Sequence, residues 1–181
     1  MNRLILTFRT TLLLSLLATA PVHADLDNDE QLLMAARNGN LAQLQTLLDH
    51  GANPNAINSR GFTPLILAAY HGHVELMEQL IQSGAQPCAI DHKGSNAMMG
   101  AAFRGQLHVI QWLLKNSPCG VNHRNHAGQT ALMMAALFGR EEIVDLLLQH
   151  NADANIADAM GNRAATLAAA QGQQALADKL R

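Results

Sequence analysis

Two interleaved series of glycines recur along this chain at a nearly constant interval, and an interval of that size admits few folds. Gly61, Gly94, Gly128 and Gly161 stand 33, 34 and 33 residues apart. Gly39, Gly72, Gly105, Gly139 and Gly172 follow at 33, 33, 34 and 33. Between the two series lie Ala68-Ala69, Ala101-Ala102, Ala135-Ala136 and Ala168-Ala169, and after the second come Leu47-Leu48, Leu80-Ile81, Leu113-Leu114 and Leu147-Leu148. Landmarks in one register mark a repeat architecture, in which a unit buries its apolar face only by stacking on its neighbours.

The clearest copy runs from Gly61 to Ile81. Thr63 suits a helix N-cap and Pro64 the first helical position, where no backbone N–H is needed. Ala68 and Ala69 are small enough for neighbouring helices to approach closely. Gly72 suits the left-handed end of that helix. A second helix is predicted from about Val74 to Ser83, with Val74, Met77, Leu80 and Ile81 on one face and Gly84 as its stop. The Asp91-His92-Lys93-Gly94 tetrapeptide suits a type I turn at a projecting tip.

A period of 33 carrying G-x-T-P-L at Gly61 and A-A-x-x-G-H at Ala68 resembles the ankyrin repeat family, over roughly residues 29–181. The resemblance implies an all-α solenoid of helix–turn–helix units with β-turn fingers. The copies drift: T-P-L-I at Thr63 becomes N-A-M-M at Asn96, T-A-L-M at Thr130 and R-A-A-T at Arg163. The histidine usual in that box is absent, so apolar packing of Ile66, Met99 and Met133 is expected to replace its hydrogen bond, giving a somewhat softer stack. One extra residue falls in the third copy, at Ser117-Pro118-Cys119-Gly120.

The N-terminus reads differently. Arg3 and Arg9 precede an apolar run from Leu12 to Ala20, and Val22-His23-Ala24 closes it with a small-residue site. That is the pattern of a secretory signal over residues 1–24, cleaved after Ala24 and of bacterial character. The alternative, an uncleaved anchor, meets an apolar run short for a span. Residues 25–181 then form one repeat domain: an N-terminal cap unit over residues 29–55, complete units over 56–88, 89–122 and 123–155, and a capping unit over 156–181 whose Gln171, Gln173, Gln174, Asp178 and Lys179 give a wet end. The formal charge of −2 falls to about −4 once Arg3 and Arg9 are removed, leaving 10 basic against 14 acidic residues. That balance disfavours nucleic acid as a partner.

In the architecture that the resemblance implies, second helices pack along the back, while first helices and finger tips line a concave groove. The variable positions read Tyr70-His71, Phe103-Arg104 and Leu137-Phe138 on the helices. On the fingers they read Ser59-Arg60 with Phe62, His92-Lys93 with Ser95, and His126-Ala127 with Gln129. Four of the five aromatics after residue 24 (Phe62, Tyr70, Phe103 and Phe138) fall in this set. Aromatics beside Arg and His have the composition of interface hot spots. Phe62, Tyr70, His71, His92, Lys93, Phe103, Arg104, His126, Leu137 and Phe138 are therefore the candidate partner-binding residues. Trp112 aligns with Gln79 and Leu146 and is expected on the back.

Cys88 and Cys119, the two cysteines, are 31 residues apart, close to one period. They fall on adjacent inter-unit loops and are disulfide candidates in an exported chain, with two free thiols as the alternative. His73 is expected to cap the second helix, His50 and His150 recur before a loop, and His108 lies beside a helix start. His92 and His126 occupy equivalent tips with His123 nearby, which raises a haem, metal or small-molecule carrier as the alternative function. Met98-Met99 and Met133-Met134 would offer soft ligands but align with core positions. No cofactor is implied, and neither a nucleophile motif, a phosphate loop nor a paired-carboxylate pattern is present, so the chain reads as non-catalytic. The expectation is a monomeric, periplasmic or secreted protein, without membrane association after cleavage, that binds a protein partner. The resemblance to small exported bacterial members suggests a setting in stress protection.

Overall fold

The computed structural model describes residues 27–181, so the predicted leader and its cleavage site lie outside the described residues. Ten α-helices follow one another in five pairs: α1 Asn28–Asn38 with α2 Leu41–Asp49, α3 Pro64–His71 with α4 Val74–Gln82, α5 Ala97–Arg104 with α6 Leu107–Asn116, α7 Ala131–Leu137 with α8 Glu141–Gln149, and α9 Ala164–Ala170 with α10 Gln174–Lys179. Among the described residues β-pairing amounts to a single bridge, Ile90 with Asn96.

The first helices α3, α5 and α7 begin where short polar side chains satisfy their open N–H groups. Thr63 Oγ1 accepts from the Ile66 N–H at 3.2 Å, Asn96 Oδ1 from Met99 at 3.1 Å and Thr130 Oγ1 from Met133 at 3.3 Å. Arg163 has no oxygen to offer. There Thr166 Oγ1 reaches back and accepts from the Arg163 N–H at 2.8 Å, so the aberrant last copy is capped from the other side.

The stack is held by two kinds of seam. First helices carry paired alanines, and Ala68, Ala69, Ala101, Ala102, Ala135 and Ala136 are fully buried. Second helices present larger groups inward: Leu76, Met77 and Leu80 on α4, Val109, Ile110 and Leu113 on α6, Ile143, Val144 and Leu147 on α8. Each of the larger chains is worth about 1.5–3 kcal/mol when withdrawn from water. Alanine lets the row α1–α3–α5–α7–α9 approach closely, whereas α2, α4, α6 and α8 touch more sparingly. The stack therefore curves with its first helices on the inside. Ile66, Met99 and Met133 are buried to within 4% exposure, filling the space that the histidine box leaves.

The extra residue of the third copy lengthens α6 to 10 residues, against 9 for α4 and α8. α4 is followed by Gly84 at φ +91° and α8 by Asn151 at φ +64°, both left-handed. α6 instead ends in an extended Ser117, which sends the loop across toward the preceding unit. Cys119 there is joined to Cys88, their Cα atoms 5.5 Å apart.

Candidate functional site

Each finger turn is built from one side chain accepting two backbone N–H groups. Asp91 Oδ1 takes those of Lys93 and Ser95, both at 2.8 Å, and Asn125 Oδ1 takes those of Ala127 and Gln129 at 3.0 and 2.9 Å. Asn58 does the same for Arg60 and Phe62, and Asp158 for Met160 and Asn162. The Asn162 N–H, followed by the Asn162 side chain and the Met160 N–H, holds the Asp158 carboxyl below its ordinary value against the opposing effect of burial. Successive fingers are linked by one backbone hydrogen bond each: His92 N–H to the Arg60 carbonyl at 3.1 Å, His126 to Lys93 at 2.9 Å and Ala159 to Ala127 at 2.9 Å.

The first helices carry an aromatic row above these fingers. Phe103 stacks on Tyr70 at 5.9 Å between ring centroids and meets Phe138 edge-on at 4.4 Å. Such pairs add about 0.5–1.5 kcal/mol beyond the area they bury. The Arg104 guanidinium lies 5.2 Å from the Tyr70 ring centre, and that of Arg60 5.0 Å from Phe62. Two cavities open between row and fingers, about 380 and 310 Å³, sharing Phe62, Ile66 and Tyr70 as a common ridge. The first is closed on its far side by Leu33, Met34 and Arg37 of α1, the second by Lys93, Gln129 and Phe103. Together they form one groove with an apolar floor and a polar rim.

Of the ten sequence candidates, Phe62, Tyr70, His71, Lys93 and Phe103 line this groove, and Arg104 and Phe138 bear on its aromatic row. Leu137 closes α7, partly buried, outside both cavities. The imidazoles of His92 and His126 fold back over the preceding finger: a Cβ on Gly61 would stand 2.5 Å from His92 Cδ2, and one on Gly94 2.6 Å from His126 Cδ2. His71 stacks parallel to His73 at 6.2 Å. Burial first, then the charges of Arg37, His73 and Arg104, hold the His71 imidazole below its ordinary value near 6.5.

One histidine expectation needs correction. His73 occupies the N-cap position of α4, but its side chain makes no capping bond; Nε2 instead lies 3.3 Å from the Arg37 carbonyl at the end of α1. The reason is a seat left by Gly39, where a Cβ would stand 2.7 Å from the ring. Gln106, Arg140 and Gln173 lie over Gly72, Gly105 and Gly139 in the same way, so the second glycine series receives the next unit as well as ending a helix. Nothing among the described residues supports the carrier alternative. His123 Nε2 is committed to the Gly94 carbonyl at 2.8 Å, His108 Nε2 to that of Gly72 at 2.9 Å. Among the described residues no three His, Cys, Asp or Glu side chains converge as a metal would require. Trp112 lies on the back as expected, its Nε1–H donating to Glu78 Oε1 at 2.8 Å.

Sequence reasoning overlooked α1. Met34 is 46% exposed and, with Arg37, forms one wall of the groove. The signal was present: Ala35-Ala36-Arg37 aligns with Ala68-Ala69-Tyr70, which puts Arg37 on the groove side of the first unit.

A family model described as ankyrin repeats, in three copies, matches residues 9–91, 32–124 and 98–181. The chain belongs to the ankyrin repeat family, whose members are protein–protein interaction modules, generally without catalytic activity. No helix among the described residues is long and apolar enough to cross a membrane.

Proposed function

We propose that this is an exported, non-catalytic binding module that holds a protein partner in the groove between the α3–α5–α7 aromatic row and the fingers. The observation that carries the reading is the continuous Tyr70–Phe103–Phe138 row over a groove with an apolar floor. Rings that pack on one another are already ordered, so little side-chain entropy is lost when a partner covers them. Export is supported by the leader pattern of residues 1–24 and by the bond between Cys88 and Cys119, since structural disulfides belong to oxidising compartments. The chain acts there as a monomer, and a protective role in the periplasm is the setting we attach to it. With both cysteines bonded, it carries no free thiol for an oxidant to attack.

The test is affinity capture from the native exported fraction, using the protein and its Tyr70/Phe103/Phe138 triple-alanine variant as baits. A protein retained by the first and lost from the second is expected. Equal retention by both, with the variant shown folded by circular dichroism, would move the site off the groove. Intact-mass measurement of the exported protein is expected to place its N-terminus at Asp25; a retained leader would overturn the export reading.

A further inference from the structure

The chain is net acidic, at −2, yet its inner face is not. Arg37 and Arg60 border the first cavity and Lys93 the second, while Arg104 at the end of α5 stands over Tyr70. The acids are placed elsewhere: Glu75 and Glu78 on α4, Glu141, Glu142 and Asp145 on α8. Two carboxylates do reach the groove. Asp91 is turned into its own finger and spent on the Lys93 and Ser95 N–H groups, which leaves Glu30 as the one free acid on its lining.

These cations are also unspent. The ion pairs among the described residues are Lys179 with Asp145 and Arg181 with Asp178, both at the C-terminal end. Arg60 and Arg104 are instead steadied over Phe62 and Tyr70, an arrangement that fixes a guanidinium while leaving its fork of donors open. The downward displacement of His71, in which Arg37 and Arg104 take part after burial, reports the same positive field within the groove.

We infer that the groove takes an acidic, extended protein segment, with an apolar side chain seated against the Phe62–Tyr70 ridge and carboxylates facing Arg37, Arg60 and Arg104. This rests on the reading of the groove as the partner site and names the chemistry of that partner. Two side-by-side notches suit a chain laid across the repeats. The apolar seat supplies most of the affinity, and the rim charges supply selection and speed of encounter.

The experiment is selection of a displayed library of random peptides of about twelve residues against the disulfide-bonded protein at low salt. Enriched sequences are then synthesised and their affinities measured for the protein, an Arg37→Gln/Arg104→Gln variant and Tyr70→Ala. Both arginines are exposed, so their replacement leaves the core untouched. The inference expects Asp- and Glu-rich peptides around one aromatic or leucine. Their affinity should fall about tenfold or more in the arginine variant and on raising salt to 0.5 M, where screening shortens to a few ångström. Enrichment of neutral or basic peptides that Tyr70→Ala abolishes would overturn the acidic partner and keep the groove. Peptides indifferent to all three changes would sink the groove reading itself. No enrichment at all would overturn the inference, leaving the groove to be judged by the capture experiment.

Discussion

His92 closes over Gly61: a Cβ built on Gly61 would stand 2.7 Å from the backbone nitrogen of His92, and that same N–H donates to the Arg60 carbonyl at 3.1 Å. The fingers thus stack through backbone, and the glycine is required twice, by its φ of +79° and by the contact. Gly84, at φ +91°, has nothing within 4 Å of the Cβ position. Gly84→Ala should therefore cost only left-handed strain, about 1–2 kcal/mol. Gly61→Ala should cost about 1–3 kcal/mol more, as overpacking against backbone does. Urea midpoints check this; equal losses at the two sites would show that finger stacking contributes nothing.

The Cys88–Cys119 bond ties two loops that lie one repeat apart, enclosing a sequence separation of 31. A crosslink of that span restricts the unfolded chain by about 3–4 kcal/mol in the chain-entropy account. Cys88→Ser/Cys119→Ser, or dithiothreitol at constant pH, is expected to lower the urea midpoint by a stability of that order or somewhat less. Peptide mapping without reductant checks the bond directly. Both thiols found alkylatable in the native protein would remove it.

Much of this fold was legible because each repeat states its own boundaries. Thr63-Pro64, Gly72 and Gly84 fixed where α3 and α4 begin and end to within a residue. The groove was less legible, since its shape depends on which neighbour a side chain leans over. His92 and His126 look in sequence like free tips, yet each is seated on the glycine of the preceding finger, 31 and 32 residues back. Arg37 is hidden for the opposite reason: a terminal unit has the sequence of a cap, although its α1 supplies one wall of the groove. What one copy does to the next is written in register between copies, and a reading of each copy by itself does not reach it.

The finger position that reads Asn58, Asp91, Asn125 and Asp158 makes the same two backbone bonds with either residue type. Asp158→Asn should accordingly keep the turn, but without the charge and without the acceptor that Oδ2 offers the Asn162 side chain at 3.2 Å. The two will converge in acid. The Asp158 carboxyl is held below 3.8 in the folded chain, so the stability it contributes is present above that pH and lost as pH falls through the folded value. The variant has no proton to take up there. In thermal scans the parent should melt above the variant at pH 7, and the gap should close as the parent loses stability below pH 3.8. Melts that superimpose at pH 7 would mean that the charge adds nothing to the finger.

His71 gives the pH test of the groove. Burial disfavours its imidazolium first, and Arg37, His73 and Arg104 repel it further, so the folded chain binds that proton at lower pH than the unfolded chain, whose midpoint is near 6.5. Stability linked to His71 is thus complete above 6.5 and declines as pH falls through the window beneath it. An NMR titration of the ring should show a midpoint below 6.5. Arg104→Gln should raise it while leaving it below that value, because burial is the larger cause. Saturation with an acidic peptide should raise it as well, with uptake of protons on binding, since carboxylates beside Arg37 and Arg104 offset the field that disfavours the imidazolium. Glu30 on the same cavity is common to both states and cannot produce that rise. A ring that titrates at or above 6.5 in the free protein, or that is indifferent to Arg104→Gln, would show that the groove does not carry the positive field on which its choice of partner rests.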